Sequence, residues 1–307
     1  MTDNRNSAAI AKLKVVPLPH PFRIVAMILV LSLLVLAIHS AATNPKLQWS
    51  IAGSYLFNPL IVNGLLVTLG VTAMVMVIAV ILGTIAALMI LSPSRLLSIS
   101  AKVFVWFFRG TPALVQLILW YNLALIIPRF ELWLPVFGTI FSISTNDVMT
   151  PIVAAIVGLS LHEAGYMAEI IRNGLQSVNQ GQREAALCLG MKPSLLMRRI
   201  IIPQAMRVII PPTGNETISL LKTTSLVSVV AVGDLLYSAQ SIYARTFETI
   251  PLLIVVTAWY LAVVAIMSIG QFYLERHFSR DDSNRQGKSL LGAKLANAFL
   301  VHRRITN

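Results

Sequence analysis

Charge is scarce in this 307-residue chain, and that scarcity decides the class of protein first. Charged residues make up 12% of the sequence, hydrophobic residues make up 56%, and the mean hydropathy is +0.77. A soluble globular domain has about 25% charged residues. Because the chain combines few charges with several long apolar runs, a large water-soluble core is excluded and an integral membrane protein is indicated.

Cysteine and the common catalytic motifs are also missing. Cys188 is the single cysteine, which excludes an intramolecular disulfide and any site built from several cysteines. The sequence has neither a GxxxxGK[ST] phosphate loop nor a GxSxG nucleophile elbow. His162-Glu163 begins like the HExxH zinc motif, but Tyr166 stands where the second histidine is needed, so we expect no metal site. Nothing in these patterns supports enzyme chemistry.

Six apolar stretches are long enough to cross a bilayer, which takes about 20 helical residues. They are Phe22–Ser40, Leu60–Leu91, Val103–Ile127, Pro151–Ile171, Ile209–Val232 and Ile250–Leu274. The first could be a signal peptide, but Arg23 lies late and the run extends to His39, which favours a retained anchor. The predicted fold class is therefore an all-α integral membrane bundle of about six spans.

The 24 lysines and arginines test the orientation of these spans. If both termini are cytoplasmic, only Lys46, Arg129 and Arg245 fall in outer segments, while most of the others fall in cytoplasmic ones. The positive-inside rule therefore explains the formal net charge of +12, and no nucleic-acid partner is needed. Membrane lipid is the expected surrounding.

The polar segment 172–207 has a helix–bend–helix pattern. We expect a first helix over about Gln180–Leu189 that ends at Gly190, a residue suited to a left-handed cap. A second helix is expected to begin at Pro193, because proline tolerates the first helical position, and to end before Pro203. The apolar side chains of the first helix could pack into a groove on a partner.

Several motifs in the chain resemble those of one transporter family. Glu184-Ala185-Ala186, followed by Gly190 and Pro203, resembles the EAA loop of ABC importer permeases, the coupling surface for the ATP-binding subunit. Other stretches look like the polar amino-acid permeases of the histidine, glutamine, arginine and glutamate type. These stretches are Asn63–Leu69, Arg109–Gln116, Leu161–Ile170, Ser177–Ala186, Pro203–Arg207 and Asn215–Leu226. Gly165 and Ile202 depart from the usual alanine and leucine.

The resemblance implies a type I ABC importer transmembrane domain with a five-helix core at residues 61–275. Residues 1–60 add an N-terminal segment with an extra helix, and residues 276–307 add a polar cytoplasmic tail. The implied function is import of polar amino acids across a bacterial cytoplasmic (inner) membrane. The implied partners are an ATP-binding cassette subunit that uses ATP and Mg²⁺, a second permease copy or paralogue, and an extracytoplasmic solute-binding protein. No cofactor is expected on this chain itself. An ion-coupled secondary transporter of small polar solutes is the alternative, although coupling-ion sites and inverted repeats are not clear.

Polar residues inside the spans are the candidates for a substrate path. A carboxylate at the depth of Glu163 costs roughly 2.5–3.5 kcal/mol, so it should face the bundle interior with a partner. Tyr166 shares its helix face. Either both line the path, with Glu163 binding a substrate α-ammonium group, or Glu163 pairs with Lys222 or Arg109 as a structural contact. Both readings stay open.

The fifth span adds Asn215, Lys222 and Ser225 as candidates. Pro211-Pro212 is expected to interrupt the start of this span, and a broken helix leaves backbone groups free to bind a substrate carboxylate. Lys222 could instead snorkel or form an ion pair.

Three further expectations concern single residues. Glu184 is expected to meet the cleft of the ATP-binding subunit, as the resemblance implies, or else to be a solvated acid that favours the helix dipole. A side chain at Gly190 would penalise the bend by about 1 kcal/mol. Glu169 and Arg172 are expected to pair at spacing i, i+3.

Overall fold

The computed structural model describes residues 21–134 and 138–305, and nearly all of these residues are helical. The helices, numbered in chain order, are α1 (Pro21–Thr43), α2 (Trp49–Tyr55), α3 (Pro59–Ile90), α4 (Arg95–Gly110), α5 (Ala113–Tyr121), α6 (Thr145–Val148), α7 (Pro151–Gln176), α8 (Gln180–Cys188), α9 (Pro193–Leu196), α10 (Ile202–Thr223), α11 (Leu235–Thr246) and α12 (Thr249–Ile305). Two strands, β1 (Arg129–Leu134) and β2 (Gly138–Ser144), form an antiparallel hairpin before α6.

The chain divides into two units, residues 1–49 and 50–307. In the first unit, α1 is a long apolar helix, and the Trp49 indole Nε1 donates to the Ala41 carbonyl at 3.0 Å. Residues 1–20 of the predicted N-terminal segment lie outside the described residues. In the second unit, α12 continues as a helix into the predicted polar tail.

Four described helices, α1, α3, α7 and α12, are long and apolar enough to cross a membrane. Two further spans arise if each of two bent pairs is counted as one: α4 with α5, bent by 101°, and the segment 193–230 with α11, bent by 44°. The predicted membrane bundle is thus confirmed, with four to six spans.

The break between α4 and α5 follows from its sequence. Pro112 has no N–H to continue α4 and forces Thr111 into an extended conformation, with φ −106° and ψ 142°. The Gln116 side chain, only 3% exposed, holds the break by donating to the carbonyls of Phe108 at 2.9 Å and Thr111 at 3.0 Å. The predicted single helix over Val103–Ile127 is therefore wrong: the helix begins earlier, at Arg95, and is broken into two at Pro112.

Helix α7 is the centre of the second unit, since it packs against α3, α4, α5 and α10. Small residues allow this close packing: a Cβ added to Gly83 of α3 would lie 2.6 Å from Met167 Cβ and 2.9 Å from the Ala168 nitrogen on α7. The buried carboxylates and amides described below therefore lie on rigid, closely packed helices.

Two expectations about prolines are wrong. Helix α10 runs unbroken through Pro211-Pro212. Side chains also contact the backbone at this place: the Gln271 amide donates to the Pro211 carbonyl at 2.7 Å, and the Thr213 hydroxyl donates to the Ile209 carbonyl at 2.8 Å.

Pro203 also fails to separate two helices. A π-helical turn over Met197–Ile201 joins α9 to α10, and the Ile202 N–H donates to the Met197 carbonyl five residues earlier. Pro203 then lies in the first turn of α10, directly after this π-helical turn. The second helix of segment 172–207 therefore continues into the next span.

Candidate functional site

Glu163 lies on α7 with a side chain only 5% exposed. Within the described residues its Oε1 has no hydrogen-bond partner, and no ion pair joins it to Lys222 or Arg109. Buried polar atoms almost always have a partner, so an unpaired one calls for an explanation. The structure therefore does not contain the ion pair that would make Glu163 a purely structural residue. One oxygen of its carboxylate remains available for a cation.

Arg109 instead joins a network on the last turns of α7. Its Nη1 lies 3.9 Å from Glu169 Oε1, and its guanidinium lies 5.1 Å from the centroid of the Tyr166 ring. Glu169 also accepts from Arg172 Nη2 at 2.6 Å, which confirms the predicted i, i+3 pair. Tyr166, the second candidate on this face, therefore carries a cation on its ring.

Glu216 is a site residue that the sequence reasoning missed. This half-buried carboxylate on α10 lies within electrostatic range of both Glu163 and Arg109. Its signal was available, because a charge inside an apolar span is the same feature that selected Glu163. Glu216 on α10 is therefore within electrostatic range of a carboxylate on α7 and of a guanidinium on α4.

The three candidates on the fifth span are placed differently. Asn215 Nδ2 donates to Glu275 Oε1 at 3.3 Å, so it contacts α12. Lys222 is exposed and has no ion pair among the described residues. The Ser225 hydroxyl donates to the Lys222 carbonyl at 2.8 Å, within its own helical segment.

A second missed carboxylate, Asp234, is fully buried between the 3₁₀ helix Thr224–Val230, which follows α10, and α11. It caps α11 by accepting from the N–H groups of Leu236 at 3.3 Å and Tyr237 at 2.9 Å. Thr68 Oγ1 accepts from the Leu235 N–H at 3.0 Å, and a Cβ on Gly64 would clash with Ser238. The Asn63–Leu69 motif thus serves the packing of α3 against α11.

Segment 172–207 contains a compact helix and a sharp bend. The Asn179 side chain caps α8 by accepting from the Gly181 N–H at 2.8 Å. After α8, Met191 N–H donates to the Ala186 carbonyl at 3.1 Å and Gly190 N–H donates to Leu187 at 2.9 Å. These two bonds form a Schellman motif, and Gly190 has the left-handed φ of 72° that the motif requires. The predicted glycine bend is confirmed.

The surface of α8 combines one anchored side and one free side. Ala186 is 2% exposed and packs into the core, whereas Ala185, Leu187 and Leu189 are exposed. Glu184 is exposed as well, and its Oε1 accepts from Gln180 Nε2 at 2.8 Å.

Two polar contacts tie α8 to its neighbours. The Arg183 guanidinium donates to the Leu175 carbonyl at the end of α7. Gln204 Nε2, at the start of α10, donates to Gln182 Oε1 at 2.5 Å. Helix α8 can therefore present one carboxylate and several apolar side chains to a partner from a fixed position.

The largely apolar cavity of about 490 Å³ between α3, α7 and α10 contains none of the predicted path residues. Its lining includes Thr84, Met167, Met206 and Thr213. The described part of the chain also holds no group of three or more His, Cys, Asp or Glu side chains placed to bind a metal ion.

Comparison with known proteins agrees with this geometry. The family described as binding-protein-dependent transport system inner membrane component matches residues 79–280. The arginine transport system permease protein ArgU of Corynebacterium glutamicum is 43% identical over 265 residues, covering 86% of this chain and 82% of that protein. The glutamate/aspartate import permease protein GltK of Escherichia coli O157:H7 is 35% identical over 219 residues, covering 71% and 93%.

A solved structure supports the same assignment. The crystal structure of an amino acid ABC transporter with histidines aligns with a TM-score of 0.62 at 34% identity, covering 72% of this chain and 95% of that chain. The resemblance drawn from the motifs and the type I importer fold are thereby confirmed. The chain therefore belongs to the family of binding-protein-dependent transport system inner membrane components, as a permease subunit of an ABC importer.

Proposed function

We propose that this permease subunit carries a polar amino acid inward across the bacterial inner membrane and that Glu163 binds the α-ammonium group of the substrate. The observation that carries the proposal is the buried Glu163 carboxylate, whose Oε1 has no protein partner among the described residues. Glu216 adds a second negative charge nearby, which favours a cation at this place. Relatives named for arginine and for glutamate/aspartate transport support an amino-acid substrate.

Uptake by the reconstituted importer tests this role. The permease would be inserted into proteoliposomes with its ATPase and binding protein, and uptake of labelled amino acids would be measured for Glu163→Gln. We expect uptake to be abolished, because the amide keeps the shape of the side chain and removes its charge. The control is Glu131→Gln, which makes the same change on the exposed β1 strand. Near-normal uptake by a well-assembled Glu163→Gln importer would contradict the proposal.

The proposal assigns ATP hydrolysis to a separate subunit that docks on α8, with ATP and Mg²⁺ bound there and no cofactor on this chain. Glu184 supports this role, because it is an exposed carboxylate on a helix that polar contacts hold to both α7 and α10. Charge-reversing Glu184→Arg should abolish co-purification of the ATPase subunit, whereas Glu275→Gln at the end of the last span should keep it. Retention of the ATPase by Glu184→Arg would show that docking occurs elsewhere.

The proposal also includes the orientation of the chain in the membrane. Both termini and α8 are cytoplasmic, and a second permease copy or paralogue completes the path. The distribution of Lys and Arg supports this orientation. A cysteine-specific, membrane-impermeant reagent should label Cys188, which is exposed on α8, only after the cells are opened. Labelling of intact cells would reverse the topology, and proton- or sodium-driven uptake by this chain alone would refute the ATP-driven reading.

A further inference from the structure

An open cavity of about 580 Å³, lined in part by charged side chains, lies between α4 and the last turns of α7, next to the end of α3 at Ile90. The proposed function makes no use of it as a unit. The side chains that line it and matter here are Lys102, Trp106, Arg109, Tyr166, Glu169 and Arg172.

The cavity has an excess of positive charge. Lys102, Arg109 and Arg172 supply three cations, and Glu169 supplies the single carboxylate of the lining, which contacts both guanidinium groups. Lys102 is exposed and has no hydrogen bond or ion pair from its side chain within the part of the chain that the structure describes. Two guanidinium groups, one ammonium group and one carboxylate therefore line the same cavity, and their net charge is +2. Guanidinium and ammonium groups are hydrogen-bond donors suited to phosphate.

The cavity also lies where a lipid headgroup would be. Helices α4 and α5 are bent by 101°, so both cannot run along the membrane normal. Helix α4 carries Arg95, Lys102 and Arg109 whereas α5 has no charged residue, so α4 is the one suited to the interface. Trp106, 74% exposed on the face of α4 that bears Lys102, is a side chain typical of that depth.

Helix α4 also exposes apolar side chains beside the cavity. On α4, Ile99 is 59% exposed, Val103 is 55% exposed and Phe107 is 45% exposed. These residues offer a surface for acyl chains next to the basic cavity. A soluble phosphate or a substrate carboxylate would have no use for such a surface.

We propose that this cavity binds the phosphate of an anionic phospholipid in the leaflet on the side of α8. Basic pockets between membrane helices on the cytoplasmic side bind anionic headgroups in this way. Lys102 and Arg172 would bind the phosphate oxygens, Arg109 would add its charge, and the acyl chains would lie along α4.

Native mass spectrometry of the intact importer tests the proposal by counting retained phosphatidylglycerol against phosphatidylcholine. We expect a preference for phosphatidylglycerol, and Lys102→Gln should weaken it about fivefold, or ~1 kcal/mol at ~1.4 kcal/mol per factor of ten. Lys102→Arg should keep the preference. The matched control is Arg95→Gln, which removes a charge from the same helix but outside the cavity.

Three outcomes would overturn the proposal. The two lipids could be retained equally, or Arg95→Gln could weaken retention as much as Lys102→Gln does. Displacement of the phosphatidylglycerol by the transported amino acid, or by glycerol phosphate at similar concentration, would identify the cavity as a site for a soluble anion. Lipid retention is measured without transport. A negative result for lipid binding would therefore not affect the Glu163 proposal, which the uptake assay tests separately.

Discussion

The bend at Gly190 permits a prediction whose magnitude comes directly from the structure. Gly190 has φ 72°, and a Cβ added there would meet nothing within 4 Å. Gly190→Ala therefore introduces no clash, and its whole cost is the left-handed backbone, about 1–2 kcal/mol for a residue with a Cβ. If α8 docks the ATPase only with its Schellman motif formed, the affinity of docking should fall by a factor of about 5–30.

The assay is titration of purified ATPase subunit onto the permease held in nanodiscs. Gly190→Asn should recover most of the affinity, because asparagine tolerates the left-handed region. The matched control is Gly270→Ala on α12, where a Cβ also meets nothing within 4 Å and alanine favours the helix. Equal affinity of Gly190→Ala and the unaltered chain would refute the link between the bend and docking.

Two further predictions concern the contact between α3 and α11. Asp234→Ala removes the cap of α11 and should cost about 0.5–2 kcal/mol of stability, seen as a lower midpoint of thermal unfolding; an unchanged midpoint would mean that the cap is dispensable. Gly64→Ala forces a Cβ against Ser238 and the Asp234 carbonyl, and should cost about 1–3 kcal/mol in the same assay. The double change Gly64→Ala with Ser238→Ala should recover part of that loss, and no recovery would show that the strain lies in the backbone.

Local patterns accounted for much of the fold. The apolar runs predicted the spans, because a membrane helix needs only length and low charge. The bend at Gly190 was predictable because its cause, a left-handed glycine between two short helices, lies within a few residues. The Glu169–Arg172 pair was predictable for the same reason, since both residues lie on one face of one helix.

Sequence reasoning was insufficient where the local structure depends on a residue far away in the sequence. Pro211-Pro212 does not interrupt α10, and Gln271, sixty residues later, donates to the Pro211 carbonyl within this stretch. The sequence also left open whether Arg109 pairs with Glu163; it pairs with Glu169, which depends on how α4 crosses α7.

One helix cap and one contact between helices far apart in the sequence were likewise not predicted. Asp234 caps α11, a helix that was not predicted from the sequence. Asn215 on α10 contacts Glu275 on α12. Glu216 is different, because its charge within an apolar span was visible in the sequence.

Helix α7 joins the two parts of the proposed mechanism. Glu163 and the end of the helix at Gln176 are thirteen residues apart, which is about 20 Å of unbroken helix. Arg183 of α8 donates to the Leu175 carbonyl, so α8 is fastened to that end. Helices packed this closely shift as rigid bodies rather than bending.

A displacement of α8 by the ATPase would therefore act on Glu163 through α7 and on Glu216 through α10, to which Gln204 also ties α8; if the two helices shift by different amounts, the geometry of the site changes. The two carboxylates would change their separation, and with it the affinity of the space between them for an ammonium group. If the ATPase widens that separation as the path opens, the site would release the substrate in the same movement.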